Sequence, residues 1–534
     1  MSKSLIAIGI VAAWLVTAGL FKKGMTDSFS ADDYGHVNKN IHFENWKSTL
    51  AIFFELDGRE YRPLVRLSLW LNYLMTGTSA VSFHLTNLLL HCGNILCVYF
   101  IAVIFFQNSM QAYAGSLVFA LHPIHTTNVN FIMGRTDLLC AIFYLCAVIF
   151  FSNYFFGQKG KRHYWISLAC FIFAILSKEM AVSLPLLLFC AAMLFGKATG
   201  KATQFKLAIL STLPFWVIAS TYTAGHLFFA WHNPQSIAVY TNFHWLNATK
   251  NILQAAFGLI YPFDLYWARN FYENRPILFM ALGALAITAL VIYWHRQNRI
   301  LFIKDKIFLF SIVWFIVTLL PVIGGAALRW RLYLPSAGVS LLLIALYRSL
   351  SKEQGRYFAL ILAAFLILSA TEIFRQSSIW RKQSQISKNF LDAAKRQRLD
   401  QLDEFYFANM PFGYKSAFLF SHHSIQEAFN LYFGRRPQIK ILSYLNLSEA
   451  PAMEVIQGDG RLRFQIEPKP YDFFIFPPGR RVLASTGVVF RSDGYEVVVD
   501  TLAPSKMAVG YEVRIPPQSK VPFYFFDGHE IHRL

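Results

Sequence analysis

Apolar stretches long enough to cross a bilayer recur along this chain, and no other feature narrows its fold so far. Crossing ~30 Å of hydrocarbon takes about 18–20 apolar residues in a helix, because each segment must satisfy its own backbone polar groups. Such runs lie near residues 5–21, 81–106, 112–121, 138–156, 164–180, 181–195, 207–224, 277–294, 307–323, 332–347 and 357–373. The pattern predicts a polytopic α-helical membrane protein with about 11 transmembrane helices, the run at 112–121 being short. Of the 534 residues 55% are hydrophobic and 15% charged, which excludes a soluble globular domain with a water-facing surface.

A formal net charge of +19 invites a nucleic-acid reading, but the placement of the basic residues argues against it. "GQKGKRH" (157–163), "GKATGKATQFK" (196–206), "HRQNRILFIKDK" (295–306) and "RSLSKEQGR" (348–356) all fall on one side if the N-terminus is cytoplasmic. Residues 22–80, 122–137, 225–276 and everything after about 374 then face outward. The first run has only Lys3 before it and a poor small-residue cleavage site, so it is read as a retained span. The cysteines (Cys92, Cys97, Cys140, Cys146, Cys170 and Cys190) sit in or beside apolar runs without zinc spacing, as small buried hydrophobes do.

Composition divides the chain into a transmembrane part (1–375, with a first outer loop at 22–80), a polar helical connector (376–404) and a small soluble β-rich α+β domain (405–534). "YRPLVRLSLWLNYLMTG" (61–77) reads as an interfacial amphipathic helix. "NILQAAFGLIYPFDLYW" (251–267) reads as a re-entrant or surface-lying piece. In the last domain "SIQEAFNLYFG" predicts a helix with a capping box Ser424-x-x-Glu427 and a closing Gly434. Asp493-Gly494 in "GVVFRSDGYEVVVD" suits a two-residue hairpin turn.

Several clusters could carry chemistry. Asp32 and Asp33 follow the first span; a carboxylate partly desolvated at a membrane edge can serve as a general base, although juxtamembrane acids are often merely solvated. In "LHPIHTTNVNFIMGRTDLL" the set His122, His125, Arg135 and Asp137 is denser than helix capping needs, whereas Thr136 suits capping alone. Two histidines are too few for a closed metal site, so none is expected. Lys178-Glu179 could be an ion pair within its hairpin or could place Lys178 against an anionic group. Arg329 and Arg331 could snorkel to lipid phosphates or clamp one phosphate bidentately. His84, Asn87 and His91 share a helical stripe that predicts a buried hydrogen-bonded seam between helices.

The order of these motifs resembles a known group. An Asp-Asp after the first span, "YRPL" with "FHLTNLLLH", "HPIHT…GRTDLL", "SKE…P" and "LYLPSAG" are similar to the transmembrane-and-tetratricopeptide O-mannosyltransferases. More broadly they resemble GT-C glycosyltransferases related to the protein O-mannosyltransferases. The resemblance covers roughly residues 1–375. It implies a GT-C fold and an inverting transferase that takes a sugar, a hexose such as mannose, from a polyprenyl-phosphate carrier. It places the catalytic acid on Asp32 or Asp33. Arg329, Arg331, Arg135 and Lys178 would meet the donor phosphate, with His122, His125, Asp137, Glu179, Tyr333 and Arg62 completing the substrate-binding set. Thr127 stands where the family has Glu, and Arg329-Trp330 where it has Glu-Arg. No tetratricopeptide array is present; the β-rich domain takes its place.

The expected partners are therefore a polyprenyl-phosphate-sugar lipid and a protein or glycan acceptor, with no nucleic acid, no cofactor and no divalent metal requirement. The expected location is a bacterial inner membrane, with the N-terminus cytoplasmic and the C-terminal domain periplasmic. The competing class is a transporter or flippase of a lipid-linked anion, which Pro- and Gly-interrupted spans also suit.

Overall fold

The computed structural model describes residues 3–41 (without 27), 52–53, 61–232, 245–260, 305–323, 329–447 and, beyond these, 453–458, 461–466, 473–475, 489–492, 495–502, 508–514, 521–527 and 529–533. Its helices, in chain order, are α1 (Lys3–Phe21), α2 (Asp32–Ile41), α3 (Pro63–Thr76), α4 (Ala80–Phe106), α5 (Ser109–Ala120), α6 (Thr126–Asn130), α7 (Arg135–Phe155), α8 (Lys161–Ile175), α9 (Leu184–Phe195), α10 (Lys201–His232), α11 (Trp245–Ile260), α12 (Lys306–Leu319), α13 (Tyr333–Ser349), α14 (Lys352–Arg396) and α15 (His422–Phe433). The chain separates into two compact units. One comprises Met1–Lys22, Phe43–Asn72 and Phe83–Gln376; the other comprises Lys23–His42, Tyr73–Ser82 and Ser377–Leu534.

The first unit is a helical bundle. Among the described residues six helices are long and apolar enough to cross a membrane: Ser4–Gly24, Ala80–Phe106, Ile132–Phe155, Lys201–Phe228, Arg329–Ser349 and Lys352–Arg396. Glu179–Phe195 and Lys306–Val322 are shorter apolar helices. The described residues thus support several spans and leave the expected count of eleven unconfirmed. The run at 164–180 stops as a helix at Ile175, and the next opens with a 3-10 turn (Glu179–Ser183) before Pro185 starts α9. The run at 277–294 and the Pro262–Asp264 interruption lie outside the described residues. The amphipathic helix at 61–77 is α3.

One continuous apolar core joins α4, α7, α8, α9, α12 and α13. Trp314 at its centre is fully buried, and its indole Nε1 donates to the Leu334 carbonyl at 3.0 Å. A Cβ on Gly338 would lie 2.8 Å from the Trp314 ring and 3.0 Å from the Phe315 nitrogen, so α12 and α13 approach this closely only over glycine.

The second unit holds strands β1 (Glu404–Tyr414), β2 (Ala417–Phe418), β3 (Gln438–Leu447), β4 (Met453–Gly458), β5 (Arg461–Ile466), β6 (Phe473–Ile475), β7 (Val489–Ser492), β8 (Tyr495–Leu502), β9 (Ala508–Arg514), β10 (Phe523–Phe526) and β11 (Ile531–Arg533). One sheet runs β11-β10-β1-β3-β6 with β2 on β1, and the other β4-β5-β9-β8-β7. β1 and β3 are parallel, so they need a crossover, and α15 supplies it. The hairpin predicted around Asp493-Gly494 is present as the Ser492–Tyr495 pair, the two turn residues themselves lying outside the described set. Tyr511 of the second sheet donates to the Ala408 carbonyl of the first at 2.5 Å and receives the Ser443 hydroxyl at 3.0 Å, which ties the sheets together.

One local reading is corrected. The α15 capping box uses Ser421 and Ser424, not Ser424 and Glu427; Ser424 is the third helical residue, and Gly434 closes the helix at φ 70°. Glu427 instead receives Arg436 at 2.8 Å and bonds Asn38 of α2. The connector at 376–404 is helical as far as Arg396, where α14 ends, and a 3-10 turn at Leu399–Gln401 leads on to β1.

Candidate functional site

Four polar residues step along α4 at helical spacing: His84, Asn87, His91 and Asn94. All are buried, and the expected seam is there. The Asn87 amide donates to the carbonyls of Asn128 (3.4 Å), Phe131 (2.9 Å) and Ile132 (3.2 Å), which straps the turn between α6 and α7 to α4. Arg135, with no exposed surface, donates its Nε to Asn87 Oδ1 at 2.9 Å and its other nitrogens to the Phe83 carbonyl (2.8 Å) and to the Ser68 carbonyl and hydroxyl (both 3.3 Å). Those donors serve protein oxygens, which gives Arg135 a positioning role for the turn it opens.

Tyr333, the first residue of α13, is a second hub. Its hydroxyl meets His91 Nδ1 at 2.6 Å and receives Asn94 Nδ2 at 3.2 Å. His125 stands 4.5 Å from the Tyr333 ring, centroid to centroid, and donates to Ser336, whose hydroxyl lies 2.9 Å away and is itself spent on the Tyr333 carbonyl. His122 is a neutral Nε2–H tautomer: that nitrogen reaches the Leu259 carbonyl at 2.9 Å, while Nδ1 accepts the Ile124 N–H at 3.1 Å. Burial holds its pKa down to about 4, consistent with that assignment.

Charges gather around the neighbouring helix starts. Lys178 donates to Asp137 at 2.7 Å, both side chains being almost wholly buried. Arg62, just before α3, bonds the Glu179 carboxylate with Nε and Nη2 at 3.0–3.2 Å. Lys178 and Glu179 do not pair with each other. Lys178 has extended backbone, φ −161° and ψ 143°, so adjacent side chains diverge and each finds a distant partner. Arg331, in the 3-10 turn Arg329–Leu332, interacts electrostatically with Glu179, Asp137 and Arg62; Arg329 acts similarly on His122. Among the described residues, Arg62, Lys178 and Arg331 thus act on the carboxylates of Asp137 and Glu179. The Thr136 hydroxyl reaches Asp137 Oδ2 at 3.4 Å. Among the described residues no three His, Cys, Asp or Glu side chains form a group that could hold a metal ion.

Asp32 and Asp33 belong to the other unit. They form the first turn of α2, which packs against α15. Their environments differ. Asp33 is fully buried and its Oδ2 accepts the Ser30 N–H and hydroxyl, both at 3.2 Å. Asp32 is exposed, with the Ser421 hydroxyl 3.5 Å from its Oδ1. Asn94 and Asn128 were not among the candidates read from sequence. Asn94 continues the α4 stripe one step past His91 and was there to be found; Asn128 carries no spacing signal.

A polytopic helical chain with a β-rich C-terminal unit and a buried polar layer where its helices begin is the class these observations define. In sequence it is similar to the protein O-mannosyl-transferases, as the motif order implied. It is 26% identical to the protein O-mannosyl-transferase F38B6.6 of Caenorhabditis elegans over 340 residues, covering 61% of this chain and 47% of that protein. It is 25% identical to TMTC4 of Mus musculus over 421 residues, 66% of this chain and 55% of that protein, and 32% identical to TMTC3 of Homo sapiens over 174 residues, 29% and 18% respectively. The chain therefore spans about half the length of the first two of these relatives. No family model matches it. Among solved structures, the Archaeoglobus fulgidus oligosaccharyltransferase in its apo form aligns with a TM-score of 0.46 at 13% identity, over 82% of this chain and 65% of that one. ArnT from Cupriavidus metallidurans bound to undecaprenyl phosphate aligns with a TM-score of 0.44 at 13% identity, over 86% and 97%.

Proposed function

We propose that the chain is an inverting membrane glycosyltransferase of the GT-C type. It would pass a hexose, mannose in the first instance, from a polyprenyl-phosphate carrier to a hydroxyl of a protein or glycan acceptor on the periplasmic face of a bacterial inner membrane. The observation that supports this most is the gathering of Arg62, Lys178 and Arg331 around Asp137 and Glu179. The similarity to O-mannosyl-transferases points the same way.

In this reading Asp32 is the base, because its carboxylate is open to an acceptor, and Asp33 braces the turn that presents it. The acceptor oxygen attacks the anomeric carbon, and its proton passes to Asp32. The bond from that carbon to the phosphate oxygen breaks, its electron pair stays with the lipid phosphate, and the centre inverts. Arg331, Arg329 and Lys178 stabilise the charge that develops on the phosphate. Arginine and lysine suffice for that charge, so transfer is expected to persist in a chelator.

The test is transfer of radiolabelled mannose from a polyprenyl-phosphate-mannose donor by the full chain in nanodiscs. Removing a general base costs on the order of 100-fold or more, so Asp32→Asn should lose at least that while retaining the wild-type melting temperature. Wild-type transfer by both Asp32→Asn and Asp33→Asn would remove the base assignment. Donor movement across the bilayer without transfer would install the flippase reading instead.

A further inference from the structure

We infer that Asn128 is a positioning residue for the Arg329–Arg331 pair, an inference that rests on the phosphate role proposed for those arginines. Asn128 is fully buried in α6, and its Nδ2 donates at 3.0 Å to the carbonyl of Trp330, the residue between the two arginines. That peptide lies in the 3-10 turn Arg329–Leu332 leading directly into Tyr333 and α13. Holding its carbonyl fixes the directions in which the flanking side chains leave the backbone.

The clamp is itself held from behind. Asn87 takes the carbonyls of Asn128, Phe131 and Ile132, and Arg135 holds Asn87. Gly134 leaves room, since any Cβ there would overlap the Asn128 carbonyl. A continuous line of hydrogen bonds therefore runs from Arg135 through Asn87 to Asn128 and ends on the arginine turn. The other end of the Asn128 amide is wasted: Oδ1 is buried and meets no donor among the described residues. An orphaned buried acceptor offsets what one hydrogen bond returns, so stability alone gives no reason for an amide at this position. Its one productive contact is the Trp330 carbonyl.

The experiment measures binding of undecaprenyl phosphate to the full chain in nanodiscs, alongside thermal unfolding. Asn128→Leu keeps the branching of the side chain and removes the donor. Its Kd should rise roughly ten-fold or more, as expected for a misplaced binding group, with the melting temperature unchanged or higher because the orphaned acceptor is gone. A merely structural role predicts the opposite pattern, a lower melting temperature with Kd unchanged. Asn128→Ser, whose donor is too short to reach, serves if the leucine variant does not fold. Arg329→Ala and Arg331→Ala are the references. If both keep the wild-type Kd, the phosphate assignment falls and the inference with it. If they weaken binding and the Asn128 variants do not, or weaken it only in proportion to unfolded protein, the inference alone is overturned.

Discussion

Charged residues flanking apolar runs are conspicuous, which is why Arg62, Arg135, Asp137, Lys178, Glu179 and Arg331 could be picked out of the sequence. Their pairings could not. Adjacency suggested Lys178 with Glu179, whereas an extended backbone at Lys178 sends one side chain to Asp137 and the other to Arg62. Arg135 shows the same limit: its charge is visible in the sequence, but its commitment to Asn87, Ser68 and Phe83 depends on segments tens of residues away. The Lys178–Asp137 pair makes a residue-scale prediction. Removing one partner of a buried ion pair strands the other, at a cost of about 3–5 kcal/mol. Lys178→Met should therefore melt far below wild type in detergent, and adding Asp137→Asn should restore most of the loss. A single variant as stable as the double would mean Asp137 is solvated.

Elements were legible in proportion to how local their signals are. Apolar length found the helices of the bundle, and Asp-Gly found the β7–β8 hairpin. The cap of α15 was placed one turn late, because "SHHSIQE" offers two serines three residues apart, either able to start a helix. Which one does is settled by the chain before it, and Ser421 wins. Ser421→Ala should accordingly destabilise the unit by about 1 kcal/mol, the usual worth of an N-cap; an unchanged denaturation midpoint would return the cap to Ser424. Helix α2 was missed altogether. A ten-residue polar helix has too little propensity to declare itself alone, and here it exists by packing Tyr34 against Phe420 and bonding Tyr34 to Ser387. The parallel β1–β3 pair was equally unreadable, since its register depends on residues more than thirty positions apart.

For the whole molecule the basic loops make the firmest claim. With the N-terminus cytoplasmic, a cysteine replacing Lys159, between α7 and α8, should react with a membrane-impermeant maleimide only from inside, and one replacing Glu530 only from outside. Both labelling from the same side would reverse the proposed direction of transfer.

The second unit is also assembled from widely separated stretches, two from the first loop and one from the C-terminal part. Asp32 and the Ser421 hydroxyl beside it are 389 residues apart. At ribosomal speeds of about 5–20 residues per second, roughly 20–80 s elapse between the synthesis of one and the other. Through that interval α2 has no partner, so a nascent chain carries its acid pair long before anything can hold it in place. Competence would then await the synthesis of α15, so the onset of activity trails the appearance of the acid pair by hundreds of residues.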